Sequence, residues 1–149
     1  MDAEKKTEFL RQWEKYFPGA ELPITFFYAD DPFDVEKAQP SAQHRCLICD
    51  LAQVRQGTPL CFDADGAVCG GAKRYLGFAR ELAPNFEYFL SCGIPGKLEG
   101  ERYKKTPELV KALVAEMPQF EAPAKYIVFK RWDALTVDDE PEIIILGLD

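Results

Sequence analysis

The stretch KYIVFKRW, residues 125–132, predicts a β-strand, because polar and apolar side chains alternate along it and aromatic and β-branched residues are frequent. Residues 22–28 (LPITFFY) have the same character, and residues 60–62 (LCF) predict a third, shorter strand. Residues 142–148 (EIIILGL) are almost continuously apolar, which is typical of a strand buried on both faces. These four stretches predict one mixed or antiparallel sheet.

Helix signals lie before and between the predicted strands. Residues 3–17 place apolar side chains at offsets of three and four, and residues 43–55 are followed by a glycine and a proline. A third helix is expected to begin near Gly70 and to continue through Phe78. A fourth begins at residues 106–108 (TPE), a typical N-cap, first-turn proline and first-turn acid. The chain, which shows no repeat or linker, is predicted to be a single α+β domain with about four helices packed around the sheet.

Composition excludes several classes of protein. The chain has 149 residues, and 18 Lys and Arg against 25 Asp and Glu give a net charge of −7. That charge argues against nucleic acid as a partner, which requires a basic surface. The 47% hydrophobic content can form a core and argues against disorder. Without a visible signal peptide or an apolar run long enough for a bilayer, we expect a cytoplasmic protein with no membrane partner.

Five cysteines stand out in a chain for which we expect a reducing compartment. Cys46 and Cys49 form a C-x2-C pair, which is the usual half of a zinc or iron–sulfur site, and Cys61 and Cys69 supply two more thiols. His44 adds a nitrogen. A second C-x2-C is missing, so a redox pair at Cys46 and Cys49, or simple burial of small apolar thiols, remain alternatives.

The stretch CGGAKR, residues 69–74, favours a binding site for a small molecule or anion. Two glycines let a ligand approach the backbone closely, and the helix that follows directs free N–H groups toward an anion. The spacing matches neither the mononucleotide nor the dinucleotide phosphate motif. A tight glycine turn with surface basic residues is the structural alternative.

The remaining segments nominate no catalytic residue, since one histidine cannot be placed beside a nucleophile from sequence. Residues 94–96 and 99–101 are predicted to be loop, and residues 85–90 are ambiguous between helix and strand. The charged stretch ERYKK, residues 101–105, is predicted to be solvated and not a phosphate site. The C-terminal strand offers a third function, because an unpaired sheet edge can pair with a partner chain or with a second copy in a homo-oligomer.

Several of these segments together resemble DUF169, a prokaryotic family of unknown function. The resemblance runs from about residue 22 to residue 148 and is strongest over residues 43–130. It implies an α+β fold and a recurring cysteine pair at Cys46 and Cys69, but no activity. Relatives continue past the position of Asp149, which implies a shortened member. The segments that carry the resemblance are Cys46 with Leu51-Ala52 and Gly57, Cys69-Gly70-Gly71 with YLGF at 75–78, GERYKKTPE at 100–108 and APAKYIVF at 122–129.

The resemblance shifts attention to Cys46 and Cys69. The leading hypothesis is therefore a ligand-binding domain whose site is lined by Cys46, Cys69, Gly70 and Gly71, with positive charge from Lys73 or Arg74. The alternative is a zinc or iron–sulfur protein that uses Cys46, Cys49, Cys61 and Cys69. The third is an assembly module that pairs through its C-terminal strand.

Overall fold

The computed structural model describes residues 2–32, 35–38, 46–66 and 69–147, which fall into two compact units. The sheet unit comprises residues 1–72 and 122–149, and the helical unit comprises residues 73–121. The predicted α+β class is confirmed, whereas the single domain stays a prediction. The elements are α1 (Ala3–Tyr16), β1 (Ile24–Ala29), α2 (Leu47–Arg55), β2 (Leu60–Phe62), α3 (Gly70–Tyr75), α4 (Phe86–Phe89), α5 (Pro107–Glu116), β3 (Tyr126–Arg131), a 3-10 turn (Trp132–Ala134) and β4 (Ile143–Ile145).

The four strands form one antiparallel sheet in the order β2-β3-β1-β4. Val128 of β3 lies opposite Phe27 on one side and opposite Cys61 on the other. Ile144 of β4 lies opposite Thr25. The two longest strands therefore occupy the centre of the sheet, and the two three-residue strands form its edges.

Helix α1 contributes to the core on one face of the sheet. The Asp2 carboxylate caps it by accepting a hydrogen bond from the Glu4 N–H at 2.8 Å. Its apolar stripe then meets the sheet, where the rings of Phe9 and Trp132 stack with centroids 4.0 Å apart. Phe27 and Val128 belong to the same cluster, so the periodicity of residues 3–17 correctly predicts which side of the helix is buried.

The opposite face of the sheet carries a row of phenylalanine rings. Phe129 of β3 lies between Phe26 of β1 and Phe62 of β2, at centroid distances of 5.3 and 6.1 Å. Helix α2 contacts all three strands and buries Val54 completely. Each side of the central strands is thus covered, which explains why β3 is buried along almost its whole length.

A buried ion pair accounts for the one charged side chain in the middle of β3. The Lys130 ammonium lies 3.1 and 3.0 Å from the two carboxylate oxygens of Asp139, and both side chains are almost completely buried. Asp139 also accepts hydrogen bonds from the backbone N–H and the hydroxyl of Thr136. The pair fixes the loop before β4 against the sheet, since either charge alone would be costly to bury.

The boundaries differ from the prediction in two helices, α2 and α3, and one ambiguous segment is a helix. Helix α2 begins at Leu47, and residues 43–45 lie outside the described residues. Helix α3 ends at Tyr75, so the predicted continuation through Phe78 is wrong. The ambiguous segment 85–90 forms the short helix α4. Among the residues that the structure describes, no helix is long and apolar enough to cross a membrane.

The prediction that the C-terminal strand is buried on both faces is wrong. Ile143 is 46% exposed and Ile144 is 44% exposed, because β4 lies at the edge of the sheet. β4 is hydrogen-bonded to β1 along one edge, and no other described strand pairs with its outer edge. The apolar run therefore marks an exposed surface and not part of the core.

The helical unit contains the last three residues of α3, the helices α4 and α5, and the segments that connect and follow them. Helix α5 begins as predicted: Thr106 is the N-cap, its hydroxyl accepts a hydrogen bond from the Leu109 N–H, and Pro107 is the first helical residue. Val110 is completely buried.

Candidate functional site

The five cysteines are free thiols in different environments. Cys46 is the exposed N-cap residue of α2, and Cys49 is exposed in the first turn of that helix. Cys69 is half-buried immediately before α3, Cys61 is buried in β2, and Cys92 is exposed in the helical unit. The C-x2-C pair thus shares one helix start, whereas the other three thiols lie on separate elements.

Cys61 lies in the core of the sheet unit. Its backbone is paired with β3 on one side and with Lys37 on the other, and its side chain is fully buried in the cluster that contains Phe27 and Val128. Burial raises the pKa of the Cys61 thiol to about 11, and the neighbouring Asp63 carboxylate acts in the same direction. Cys61 therefore belongs to the core.

The structure does not gather the four predicted metal ligands. Within the described residues, no three side chains among His, Cys, Asp and Glu lie together in a group that could hold a metal ion. His44 lies outside the described residues. The geometry of Cys46, Cys49, Cys61 and Cys69 thus does not fit a zinc or iron–sulfur site.

The glycines that follow Cys69 lie against open space. Gly70 and Gly71 are exposed, and a Cβ atom added to either would meet no described heavy atom within 4 Å. Neither has the positive φ that favours glycine. Helix α3 is only six residues long, so its dipole contributes less than the sequence suggests. Lys73 and Arg74 follow in its last turn.

A second glycine pair, in the helical unit, is locked between backbone segments. A Cβ atom at Gly100 would lie 2.3 Å from the Gly93 nitrogen, and one at Gly93 would lie 2.4 Å from the Leu98 carbonyl oxygen. Gly93 has φ +72. Only glycine permits this crossing, which brings the two ends of a loop into direct backbone contact.

Beside the crossing lies a shallow cavity of about 400 Å³ that is largely open to solvent. The loop is held by reciprocal backbone hydrogen bonds between Ile94 and Leu98, at 2.8 and 2.9 Å. The Arg102 N–H donates to the Ser91 carbonyl at 3.0 Å, and this bond fixes the end of the loop. The residues that line the cavity are Cys92, Ile94, Pro95, Gly96, Lys97, Leu98, Glu99, Gly100 and Arg102.

The sequence gives only a weak signal for this cavity. The stretch 101–105 is predicted to be merely solvated, yet Arg102 lines the cavity. Cys92 attracts no attention because it stands apart from the other cysteines. The visible clue is the glycine pair at 93 and 100 around a proline-containing turn, but sequence alone cannot show that the two glycines touch.

One known protein family matches most of the chain. Residues 21–148 match the DUF169 family, whose description is "Uncharacterised ArCR". The chain belongs to the DUF169 family. No curated protein and no solved structure gives a significant match. The resemblance inferred from the sequence is therefore confirmed for this DUF169 domain, and the family description assigns no ligand, metal or reaction to it.

Proposed function

We propose that this DUF169 domain binds a small anionic ligand at the backbone of residues 69–71, with Cys46 and Cys69 lining the site and Lys73 or Arg74 supplying positive charge. The observation that carries the proposal is the pair Gly70 and Gly71. Glycine favours helix formation less than alanine does, by about 1 kcal/mol in a helix interior, and these two glycines occupy the first two positions of α3. Neither local packing nor φ requires glycine at these positions.

The ligand would account for this unexplained pair. Exposed glycine backbone lets the oxygen of a small anion approach the amide groups without meeting a Cβ atom. The half-buried thiol of Cys69 lies directly beside that backbone in sequence, and the two basic residues follow within one helical turn. The six-residue helix plays a minor part, so bare backbone and side-chain charge must supply most of the affinity.

Thiol alkylation tests this site directly. Iodoacetamide labelling of Cys69, quantified by peptide mass spectrometry, should slow when inorganic phosphate is added, while exposed Cys49 should label at an unchanged rate. Gly70→Ala and Gly71→Ala should abolish the protection. Gly147→Ala is the matched control, because a Cβ atom there would meet only the Arg55 guanidinium carbon, at 3.9 Å. Equal protection in all three variants would contradict the proposal.

A second candidate function is assembly through β4. The outer edge of β4 is not paired within the described residues, and its isoleucines are nearly half exposed. A second copy is a suitable occupant, because antiparallel pairing centred on Ile144 places isoleucine opposite isoleucine throughout the strand. Such pairing would satisfy the backbone groups of both edges at once.

Solution mass as a function of concentration tests assembly. Light scattering should show a dimer that Ile144→Lys converts to a monomer, because an edge lysine disfavours strand addition. Ile48→Lys, which adds the same charge at an isoleucine of α2 that is 70% exposed, should leave the dimer intact. A wild-type protein that stays monomeric at the highest concentration would exclude this function.

A further inference from the structure

The cavity of the 92–102 loop has a basic wall whose charges are not neutralised. Lys97 and Arg102 both line it, and neither forms an ion pair or a side-chain hydrogen bond with any described residue. By contrast, Arg80 and Lys111 of the same unit each have a glutamate partner. Two cations at one concavity in an acidic chain point to an anionic ligand.

The backbone of the loop supplies further donors. The N–H groups of Gly96 and Glu99, both in the cavity wall, donate to no acceptor among the described residues. The Ile94 and Leu98 hydrogen bonds and the crossing of Gly93 with Gly100 hold this backbone in place. A ligand would therefore meet donors that need little reorganisation on binding.

Arg102 adopts an unusual backbone conformation. Its φ of +56 lies in the left-handed region, which is unfavourable for a residue with a Cβ atom. Glycine would relieve the strain, yet the position holds an arginine whose side chain reaches the cavity wall. Backbone strain of this kind occurs most often where a side chain has a functional position.

We propose that this cavity binds the phosphate group of a small phosphorylated molecule. The planar guanidinium of Arg102 can hold two phosphate oxygens, the Lys97 ammonium can hold the third, and the free N–H groups can add hydrogen bonds. The volume of about 400 Å³ is in the size range of small-molecule sites and leaves room beyond the phosphate group. The carboxylate of Glu99, which also lines the cavity, would repel the anion, so removal of its charge should strengthen binding. This site lies in the helical unit and does not depend on the proposal for residues 69–71.

Cys92 provides the readout, because its exposed thiol lines the cavity. Inorganic phosphate and glycerol 3-phosphate should each slow iodoacetamide labelling of Cys92 in a saturable way, with exposed Cys49, which lies in neither proposed site, as the reference thiol. Sodium chloride at the same ionic strength should have no such effect. Peptide mapping separates protection of Cys92 from protection of Cys69, so the two binding proposals can fail independently.

Variants of the cavity wall make the test specific. Arg102→Ala and Lys97→Ala should each weaken phosphate protection roughly tenfold or more, the expected loss of a charged hydrogen bond. Glu99→Gln should strengthen it, and Lys105→Ala, which removes a nearby charge outside the cavity, should change it less than twofold. Absence of protection by both phosphates, equal protection by sodium chloride, or undiminished protection in Arg102→Ala would overturn the proposal.

Discussion

The two edges of the sheet are strands of equal length and opposite burial. All three residues of β2 are buried, whereas the isoleucines at 143 and 144 of β4 are nearly half exposed. Both strands pair with one of the two long central strands. Their difference therefore arises from what lies on the outer side of each edge.

The outer side of β2 is closed by the chain itself. Lys37 forms a parallel bridge with Cys61, and the Ala38 N–H donates to the Cys61 carbonyl at 2.8 Å. The Lys37 ammonium then reaches the Asp63 carboxylate at 2.6 Å, just past the end of the strand. For β4 the described residues offer no equivalent segment. Among the described residues, a chain segment adjoins the outer side of β2, and none adjoins the outer side of β4.

The largest effect of a substitution is expected in β2, which we call the closed edge because residues 35–38 cover its outer side; β4 is the open edge. Phe62→Ala should lower the free energy of unfolding by about 3–5 kcal/mol, because it removes a fully buried ring that packs on Phe129. Trp13 and Trp132, both buried in the sheet unit, report unfolding of that unit by fluorescence in denaturant. A loss below 1 kcal/mol would mean that β2 is not part of the core.

Alkaline pH should weaken the same edge. Burial raises the pKa of the Cys61 thiol from 9.0 to about 11. The protonated thiol therefore stabilises the fold below pH 9, and this contribution of about 2 kcal/mol is lost as the pH rises to 11. The pKa of Tyr28 is also raised, to about 12, by its partial burial, so a general alkaline loss is expected in any variant.

The comparison that isolates Cys61 is the wild type against Cys61→Ala. Between pH 9 and pH 11, the free energy of unfolding should fall more steeply in the wild type, while the effect of Tyr28 is common to both. Parallel pH profiles would show that the thiol is accessible to solvent and would reopen its assignment to the core.

The closed and open edges also show which parts of the fold the sequence can predict. Helix α1 and the start of α5 follow from local signals, namely the spacing of apolar residues and the threonine–proline cap. The position of a strand within a sheet depends instead on partners far along the chain. The apolar run at 142–148 therefore predicts a strand correctly but predicts its burial wrongly.

Long-range pairing limits the prediction of polar positions as well. An alternating pattern in residues 125–132 would leave Lys130 in solvent, yet it is buried because Asp139 neutralises it. Contacts between residues far apart in the chain limit the prediction of the candidate sites in the same way. The sequence indicates the glycines beside Cys69, but the contact between Gly93 and Gly100 that forms the second cavity exists only in three dimensions.

A smaller effect is expected from the ion pair that closes β2. Burial raises the pKa of the Asp63 carboxyl, but the hydrogen bond and charge of Lys37, together with backbone hydrogen bonds, more than offset this and lower the pKa. The stability that this provides is present above the ordinary Asp value of 3.8 and is lost as the pH falls through the lowered value. Lys37→Ala should therefore lower the free energy of unfolding at pH 7, and its effect should be much smaller in acid, where the Asp63 carboxyl is protonated.

Arg11→Ala is the control for that ion pair. Arg11 and Glu8 form an equally short but exposed pair on α1, with the two atoms 2.7 Å apart. Its loss should leave the free energy of unfolding almost unchanged, because an exposed ion pair contributes little to stability. If Lys37→Ala lowers the free energy of unfolding no more than Arg11→Ala does at pH 7, the ion pair between Lys37 and Asp63 does not stabilise the β2 edge.

The smallest effect is expected at the open edge. Ile144→Ala removes a side chain that already contacts solvent, so it should cost less than about 1 kcal/mol. Leu60→Ala in β2 removes three carbon atoms, as Ile144→Ala does, but from a buried position, and should cost about 2–5 kcal/mol. Tryptophan fluorescence in denaturant, at a low protein concentration where any dimer dissociates, measures both. If Ile144→Ala costs as much as Leu60→Ala under these conditions, β4 is covered within the monomer, and the asymmetry between the two edges that supports assembly through β4 does not exist.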